Sequence, residues 1–227
     1  MAAFVLVVGV AMAYAASGGK VLTDPWAGLS DAEKQAQVDA AHAANVKYLE
    51  DFEARHGNPR SLPVIRVATW APPAQSVGAA ARQSVLVLHA KVTEVHFFAD
   101  PGGGMPHMNA VLGPIEFGKG SATTPIVVTQ SGGPVAQPGG KGALVELEDE
   151  DLMLPGDEVL VLLVHAESGS GYAPVYGAGV QRVSAGKMSG HSAELYGVDG
   201  FNFATVWTAI VDPNVSATAF PLRAQTD

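Results

Sequence analysis

The sequence predicts a mainly β protein, an antiparallel barrel or sandwich of about eight strands that carries a helical arm near its N-terminus. Beyond residue 62, short apolar runs alternate with turn sequences such as DPGGG at residues 100–104 and SGGP at residues 131–134. That alternation is typical of strands joined by turns. Residues 159–164 (VLVLLV) are apolar at both parities, which indicates a strand buried on both faces and predicts the central strand.

The β domain is predicted to occupy residues 62–190, followed by a C-terminal extension, residues 191–227, that packs on it. The expected strands are residues 64–70, 84–98, 107–117, 124–130, 143–148, 157–165, 172–176 and 179–184. Leu154-Pro155-Gly156-Asp157 suits a type II turn, because proline fixes the first central φ and glycine accepts the positive one. Residues 201–210 are compatible with a strand or a short helix.

The helical arm is predicted from its start signal. Ser30 and Glu33 form a capping box, and the helix is expected to continue to about residue 56, where Gly57 and Pro59 follow. A linker and this arm together make up residues 17–61. The helical stripe, which His42 and Asn45 interrupt, consists of Val38, Ala41, Leu49 and Phe52. The arm therefore either packs across a sheet or binds another molecule, in which case Leu49 and Phe52 are interface candidates.

Composition excludes several classes of function. The 227 residues carry a net charge of −9, and the 13 Lys and Arg residues are dispersed. Because a phosphate-binding surface needs clustered cations, nucleic acid is not a predicted partner, and anionic membrane surfaces are disfavoured. The chain has no cysteine, which excludes disulfides, thiolate zinc sites, iron–sulfur ligation and a cysteine nucleophile. The length accommodates one large domain, or one domain with an arm.

The N-terminal segment predicts export. Residues 2–16 (AAFVLVVGVAMAYAA) are uncharged and apolar, shorter than the ~20 residues of a bilayer span, and end in the small residues that a signal peptidase reads. No Lys or Arg precedes them. The alternative is a segment retained as a strand, whose interface residues would be Phe4, Val5, Leu6, Val7 and Val8. Contact with a membrane is expected only through this segment if it is not cleaved.

One ordered series of motifs resembles a known group. Residues 84–98 and 107–120 are followed by IVVTQSGG at 126–133, LPGDEVLVLL at 154–163 and Gly171-Tyr172. The series resembles a group of uncharacterised bacterial exported β-domains with a long strand, a strand ending near Lys-Gly, a V-x-Q-x-G-G strand end and a P-G-E/D strand. Here Gly118-Lys119-Gly120 stands at the Lys-Gly position. The resemblance covers roughly residues 84–184 and implies envelope localisation, a fold and no known activity.

The chain is expected to bind no cofactor, and two metal sites are the alternatives. Thioether and imidazole ligands suit copper, and the candidate ligands are Met105, His107, Met108, Met188 and His191. His107 and Met108 also begin a plausible strand. Calcium prefers carboxylate oxygens, and the candidates in the acidic run at residues 146–151 are Glu148, Asp149 and Asp151. That run lacks the spacing of an EF-hand loop and is more typical of a solvated connection that discourages edge pairing.

No enzyme signature is present. The chain has no G-x-S-x-G elbow, and ESGSG at residues 167–171 is not followed by a helix signal. GGKG at 139–142 does not lead a Lys-Ser/Thr pair into a helix, so it is not a phosphate loop. The sequence predicts no catalytic residues. It favours an exported envelope or extracellular protein acting through protein–protein contacts, including a self-assembled surface filament. The alternatives are an exported copper-binding protein and a calcium-stabilised adhesion-type module.

Overall fold

The computed structural model describes residues 28–68, 71–99, 105–137, 141–166 and 171–223. Within these ranges the fold is mainly β, as predicted, with ten strands in two sheets and four α-helices. The predicted signal peptide or retained strand, residues 1–16, lies outside the described residues. No helix in the described ranges is both long enough and apolar enough to cross a membrane.

The elements follow one another in this order along the chain. The helices are α1 (Asp31–Ala54), a 3-10 turn (Pro59–Ser61), α2 (Val77–Gln83), α3 (His191–Leu195) and α4 (Phe203–Val211). The strands are β1 (Val64–Val67), β2 (Leu86–Ala99), β3 (Pro106–Lys119), β4 (Ile126–Ser131), β5 (Gly133–Ala136), β6 (Gly142–Leu147), β7 (Glu158–His165), β8 (Tyr172–Pro174), β9 (Val180–Ser184) and β10 (Lys187–Ser189). All eight predicted strands are present, with shifted ends.

The chain divides into two compact units. The first comprises Met1–Ala68, Phe97–Met108 and Ser131–Glu146, and the second comprises Thr69–His96, Asn109–Gln130 and Leu147–Asp227. The three-stranded sheet has the order β1-β6-β5, and the seven-stranded sheet has the order β10-β9-β7-β2-β3-β4-β8.

In the first unit, α1 begins at the predicted capping box. The Ser30 hydroxyl accepts a hydrogen bond from the Glu33 amide at 3.3 Å, and the Glu33 carboxylate accepts one from the Ser30 amide at 2.8 Å. Only the C-terminal half of the helix is buried, since Leu49 and Phe52 are its buried residues. Of the expected stripe, Val38 is half-buried and Ala41 is exposed, so the stripe is wrong at Ala41. A helix that packs through one end leaves its other half in solvent.

The contacts of α1 answer what the arm packs against. The Phe52 ring meets the Phe97 ring edge-on at 6.2 Å. The Glu53 carboxylate accepts a hydrogen bond from the Phe97 amide at 3.0 Å, and the Asn45 side chain accepts one from the Ala136 amide at 3.3 Å. Leu49 and Phe52, predicted as interface candidates, are thus buried within the first unit of their own chain.

In the second unit, β7 is an interior strand buried on both faces, as its apolar run predicted, although β2 stands in the middle of the strand order. β7 pairs antiparallel with β2, β8 and β9, and Val159–Leu163 are fully buried, as expected of a strand covered on both faces. Because β8 pairs with both β7 and β4, the hydrogen-bonded neighbours form a ring. The turn before β7 is also as predicted, since the Asp157 backbone amide donates to the Leu154 carbonyl at 3.0 Å and Gly156 has φ +89°.

Several elements were not predicted. β5 includes Gly133-Pro134, a pair that the sequence indicated only as a break between strands. Proline is tolerated there because β5 lies at the edge of its sheet. Short α2 begins at the Ser76 side chain, which accepts from the Ala79 amide at 2.8 Å. Residues 203–211, for which a strand and a short helix were both open, form a helix capped by Asn202. Residues beyond 190 supply core side chains to the second unit, among them Ala193, Tyr196, Val206, Trp207 and Ile210.

Candidate functional site

The second unit contains three consecutive residues with carboxyl side chains, Asp149, Glu150 and Asp151, here called the acidic cluster. The sequence pattern favoured a solvated connection at this point, and that expectation is wrong. Glu150 is 5% exposed and Asp151 is 2% exposed. A buried carboxyl group must find hydrogen-bond donors or a counter-charge, because desolvation without them is costly. The surrounding segments supply both.

Asp151 is held by a cation and by two backbone amides. Its Oδ1 lies 3.1 Å from the Arg182 Nη2 on β9. The backbone amides of His191 and Ser192, at the start of α3, donate to the same carboxylate at 3.2 Å and 3.0 Å. These amides are among those that a helix start leaves without an intrahelical partner. Asp151 therefore ties β9 and α3 to the chain segment that precedes β7.

Glu150 accepts hydrogen bonds from two other segments. The Gly177 amide, in the turn between β8 and β9, donates to Oε1 at 3.2 Å, and the Gln130 Nε2, at the end of β4, donates to Oε2 at 3.3 Å. Burial raises the pKa of Glu150 to about 7; these two hydrogen bonds oppose the rise, and the negative charges of Asp149 and Asp151 add to it.

Gln130 and two tyrosines complete the surroundings of the acidic cluster. The Gln130 amide also donates to the Asp151 carbonyl at 2.8 Å and accepts from the Met153 amide at 3.2 Å. The Tyr176 hydroxyl donates to Asp149 at 3.0 Å. The Tyr196 hydroxyl donates to the Ala74 carbonyl at 2.7 Å, and burial, followed by the charges of Asp149 and Glu150, raises the pKa of Tyr196 above its usual value.

This arrangement joins chain segments through internal hydrogen bonds. Asp151 and Asp149, both predicted as calcium ligands, accept from protein donors, and the third candidate, Glu148, is half-buried. Among the described residues, no group of three or more His, Asp and Glu side chains is placed to hold a metal ion. The calcium alternative stays a prediction that no contact of the cluster favours.

The copper candidates occupy both units. In the first unit, Met105 and Met108 are buried, while the His107 ring stacks on Phe98 at 5.6 Å and its Nδ1 lies 3.4 Å from the Ser131 hydroxyl. In the second unit, Met188 belongs to the apolar core, and the His191 Nδ1 lies 3.8 Å from the Glu194 carboxylate. The thioethers thus serve as core side chains where the structure describes them.

A second feature of the second unit is exposed. Ile115 and Phe117 on β3 expose 58% and 40% of their surface, and they are called the apolar strip here. Side chains two residues apart on a strand point to the same face, so both side chains project together. The sequence predicted this strand but gave no sign of the exposure, because an apolar residue in a strand is usually read as core.

The predicted interface residues Phe4, Val5, Leu6, Val7 and Val8 lie outside the described residues.

Sequence reasoning also missed the polar partners of the acidic cluster. Gln130 stands in the V-x-Q-x-G-G series, and that motif was the one signal available for it. Arg182 and Tyr176 have no local pattern that separates them from ordinary surface residues.

In comparisons with known proteins, no protein-family model and no curated protein matches the chain.

Proposed function

We propose that this protein is exported to the cell envelope or the extracellular space and acts there through protein–protein contacts, assembling with further copies of itself. The apolar strip carries the proposal. Ile115 and Phe117 lie in a strand of the larger sheet and yet expose 58% and 40% of their surface. Covering a large apolar side chain stabilises an association by roughly 1.5–3 kcal/mol, and aromatic residues often anchor interfaces.

The N-terminal segment supports the export part of the proposal and offers a mechanism of assembly. Residues 2–16 are uncharged and apolar and rich in residues that favour strands. If the segment is retained, residues 4–14 of one copy can complete a sheet of a neighbouring copy by strand addition, in which main-chain hydrogen bonds provide the affinity. If it is removed on export, assembly depends on the folded surface.

The acidic cluster supports a role other than catalysis. Its carboxylates accept hydrogen bonds from Gln130, Gly177, Ser192 and Tyr176 and contact Arg182. Groups engaged with each other in this way organise loops, whereas a catalytic acid or base must reach a substrate atom at hydrogen-bond distance.

Sedimentation velocity of the full chain over a wide range of concentration tests self-assembly. We expect concentration-dependent oligomers that the double substitution Ile115→Lys/Phe117→Lys weakens at least about tenfold, since tenfold corresponds to only 1.4 kcal/mol. Val64→Lys is the matched control, because Val64 is also an exposed apolar strand residue, at 49%. A chain that stays monomeric at every concentration contradicts the proposal, as does equal weakening by the control.

Two further measurements separate the mechanisms. N-terminal sequencing of native material shows whether residues 1–16 are present. If they are, Val7→Pro is expected to abolish strand addition because proline removes a backbone donor, whereas Val7→Thr keeps a strand-forming residue and assembly. Oligomers that survive Val7→Pro exclude donor-strand assembly and leave the apolar strip as the contact.

A further inference from the structure

We propose that residues 216–223, called the strap here, are exchanged between copies of the protein, so that the strap of one copy lies on the next copy in the position it has on its own. The inference rests on the self-assembly proposed above and names a contact through which it occurs. The strap follows α4 in the second unit and reaches the end of α3, where the Arg223 amide donates to the Leu195 carbonyl at 2.9 Å. Exchange of an identical segment is a low-cost route to association, because it reuses contacts that each copy already makes.

Main-chain hydrogen bonds hold the strap to the segment that leads into α2. The Leu222 amide donates to the Gln75 carbonyl at 2.8 Å, and the Val77 amide donates to the Phe220 carbonyl at 3.0 Å. In strand addition, such main-chain bonds provide the affinity between separate chains. The same bonds therefore form whether the strap belongs to the same copy or to a neighbouring one.

The surface under the strap is shaped for this segment. A Cβ at Gly78 in α2 would collide with the Ser216 carbonyl oxygen, and a Cβ at Gly197 after α3 would collide with the Arg223 guanidinium. Phe220 is held at φ +52°, which is rare and strained for a bulky side chain. Strained conformations persist where the surrounding structure determines them, so this surface selects one conformation of the strap.

The strap is nevertheless lightly covered. None of its eight residues is fully buried, since Ala219, Phe220 and Leu222 are half-buried and the other five are exposed. A surface segment with few buried apolar contacts opens at a smaller free-energy cost than the core does. The strap can therefore detach while the rest of the second unit stays folded.

Residues 212–215, between α4 and the strap, form the hinge. The Val215 amide donates to the Asp212 carbonyl at 2.9 Å, and the Asn214 amide donates to the Asp212 carboxylate at 2.7 Å. Both bonds lie inside the hinge, so its opening does not break contacts with other elements through these groups. The Val215 side chain belongs to the core, which places the start of the exchanged segment after it. Exchange thus changes the backbone of the hinge and keeps the remaining structure of each copy.

The test relies on introduced thiols, because the chain has no cysteine of its own. Ser76 and Pro221 stand opposite each other in an antiparallel bridge. The bonds on either side make them the pair without hydrogen bonds to each other, whose Cα atoms lie about 4.5 Å apart, a separation that suits a disulfide. A full chain with Ser76→Cys, labelled with ¹⁵N, is mixed with a full chain with Pro221→Cys, concentrated and oxidised.

We expect a heterodimer linked between residues 76 and 221, identified by mass spectrometry. It should be at least about tenfold more abundant than in the control mixture, because exchange holds the two thiols at a high effective concentration. In the control, Glu94→Cys replaces Ser76→Cys, since Glu94 is exposed on β2. Ser76 also caps α2; if Ser76→Cys does not fold, Gln75→Cys and Leu222→Cys form the next pair along the same bridge.

A single chain that carries both Ser76→Cys and Pro221→Cys provides the complementary measurement. Oxidised while dilute, it holds its own strap in place. We expect this locked chain to self-associate at least about tenfold more weakly than the same chain after reduction, a difference of 1.4 kcal/mol in sedimentation.

The outcomes separate strap exchange from the proposed function. If the unmodified chain forms oligomers but the heterodimer is no more abundant than in the control mixture, strap exchange is overturned and self-assembly stands. A locked chain that associates as strongly as its reduced form overturns strap exchange as well. An unmodified chain that stays monomeric at every concentration contradicts both.

Discussion

The Asp151 carboxylate lies 3.1 Å from the Arg182 guanidinium while only 3% of the Asp151 side chain is exposed. The pair is asymmetric, because 26% of the Arg182 side chain reaches solvent. The anion therefore bears most of the desolvation, and the amides of His191 and Ser192 offset it. One carboxylate thus joins β9, α3 and the segment that leads into β7, which gives the second unit a defined point of sensitivity.

Replacing Asp151 by alanine is expected to destabilise the protein by about 3 kcal/mol, because it removes a buried charge partner of Arg182 and takes away the acceptor of two helix-start amides. Urea unfolding measures the loss. Asp199→Ala is the control, since Asp199 is exposed, and it is expected to change the free energy of unfolding by less than about 0.5 kcal/mol. Equal effects of the two substitutions would show that the burial of Asp151 is not what matters.

Gly190→Ala is expected to destabilise the second unit more than Gly200→Ala. Both glycines have positive φ, +97° and +76°, which disfavours alanine, and Gly190, with ψ 173°, also lies in a backbone region that is essentially restricted to glycine. Only at Gly190 would the added Cβ meet another atom, 2.5 Å from Asp151 Oδ2, whereas nothing lies within 4 Å at Gly200. Melting temperatures of the two variants provide the comparison. A Gly190→Ala variant as stable as Gly200→Ala would argue against the tight seat of Asp151.

Glu150 is expected to make the protein less stable as pH rises. Its pKa is raised in the folded state to about 7 from an ordinary value of 4.5, so between these values the folded chain binds more protons than the unfolded chain. The stabilising contribution of Glu150 to the free energy of unfolding is fully present below about pH 4.5, and it is lost as the pH rises through the folded pKa. A shift of this size corresponds to about 3 kcal/mol. The cost of burying the charge exceeds the gain from its stronger hydrogen bonds, so Glu150 stabilises the folded protein more in acid than above neutral pH.

The measurement is the free energy of unfolding at about pH 5, 7 and 9, for the unmodified chain and for Glu150→Gln. Other groups titrate in both proteins, so the difference between the two isolates Glu150. We expect that difference to move in favour of Glu150→Gln as pH rises. A difference that is constant across the range contradicts the raised pKa.

Phe52→Ala is expected to release α1 from the first unit. The ring packs on Phe97 and also fills the space where a Cβ at Gly57 would lie 2.5 Å from it. Truncating a buried phenylalanine costs about 3–5 kcal/mol. Limited proteolysis within Asp31–Ala54 and loss of helical circular dichroism report the release. Glu50→Ala, at an exposed neighbouring position, should leave the proteolysis pattern and the helical signal unchanged. If Phe52→Ala also leaves them unchanged, the helix is held by its other contacts.

Much of the local structure is determined by the sequence alone. The capping box at Ser30 and the turn at Pro155-Gly156 depend on contacts within a few residues. The buried strand at residues 158–165 is predicted by a pattern of apolar residues that does not require knowledge of its partners. The same holds for the mainly β class and for the eight strands that the turn-bounded runs predicted. β5 was not predicted because Gly and Pro are both depleted in strands, and α2 was not predicted because its seven residues are too few to show a helical period of apolar residues.

The candidate site was decided by the tertiary structure. An acidic run in a chain segment has the same sequence whether solvent or Arg182 faces it, and the partners of Asp151 and Glu150 come from 20 to 41 residues away. Likewise, Ile115 and Phe117 show the pattern of strand residues, whereas their exposure depends on which elements lie over β3. Local preference is a property of neighbours along the chain, but burial and pairing depend on which distant segments the fold brings together, so only the folded structure could show that Glu150 lies between Gln130 and Gly177.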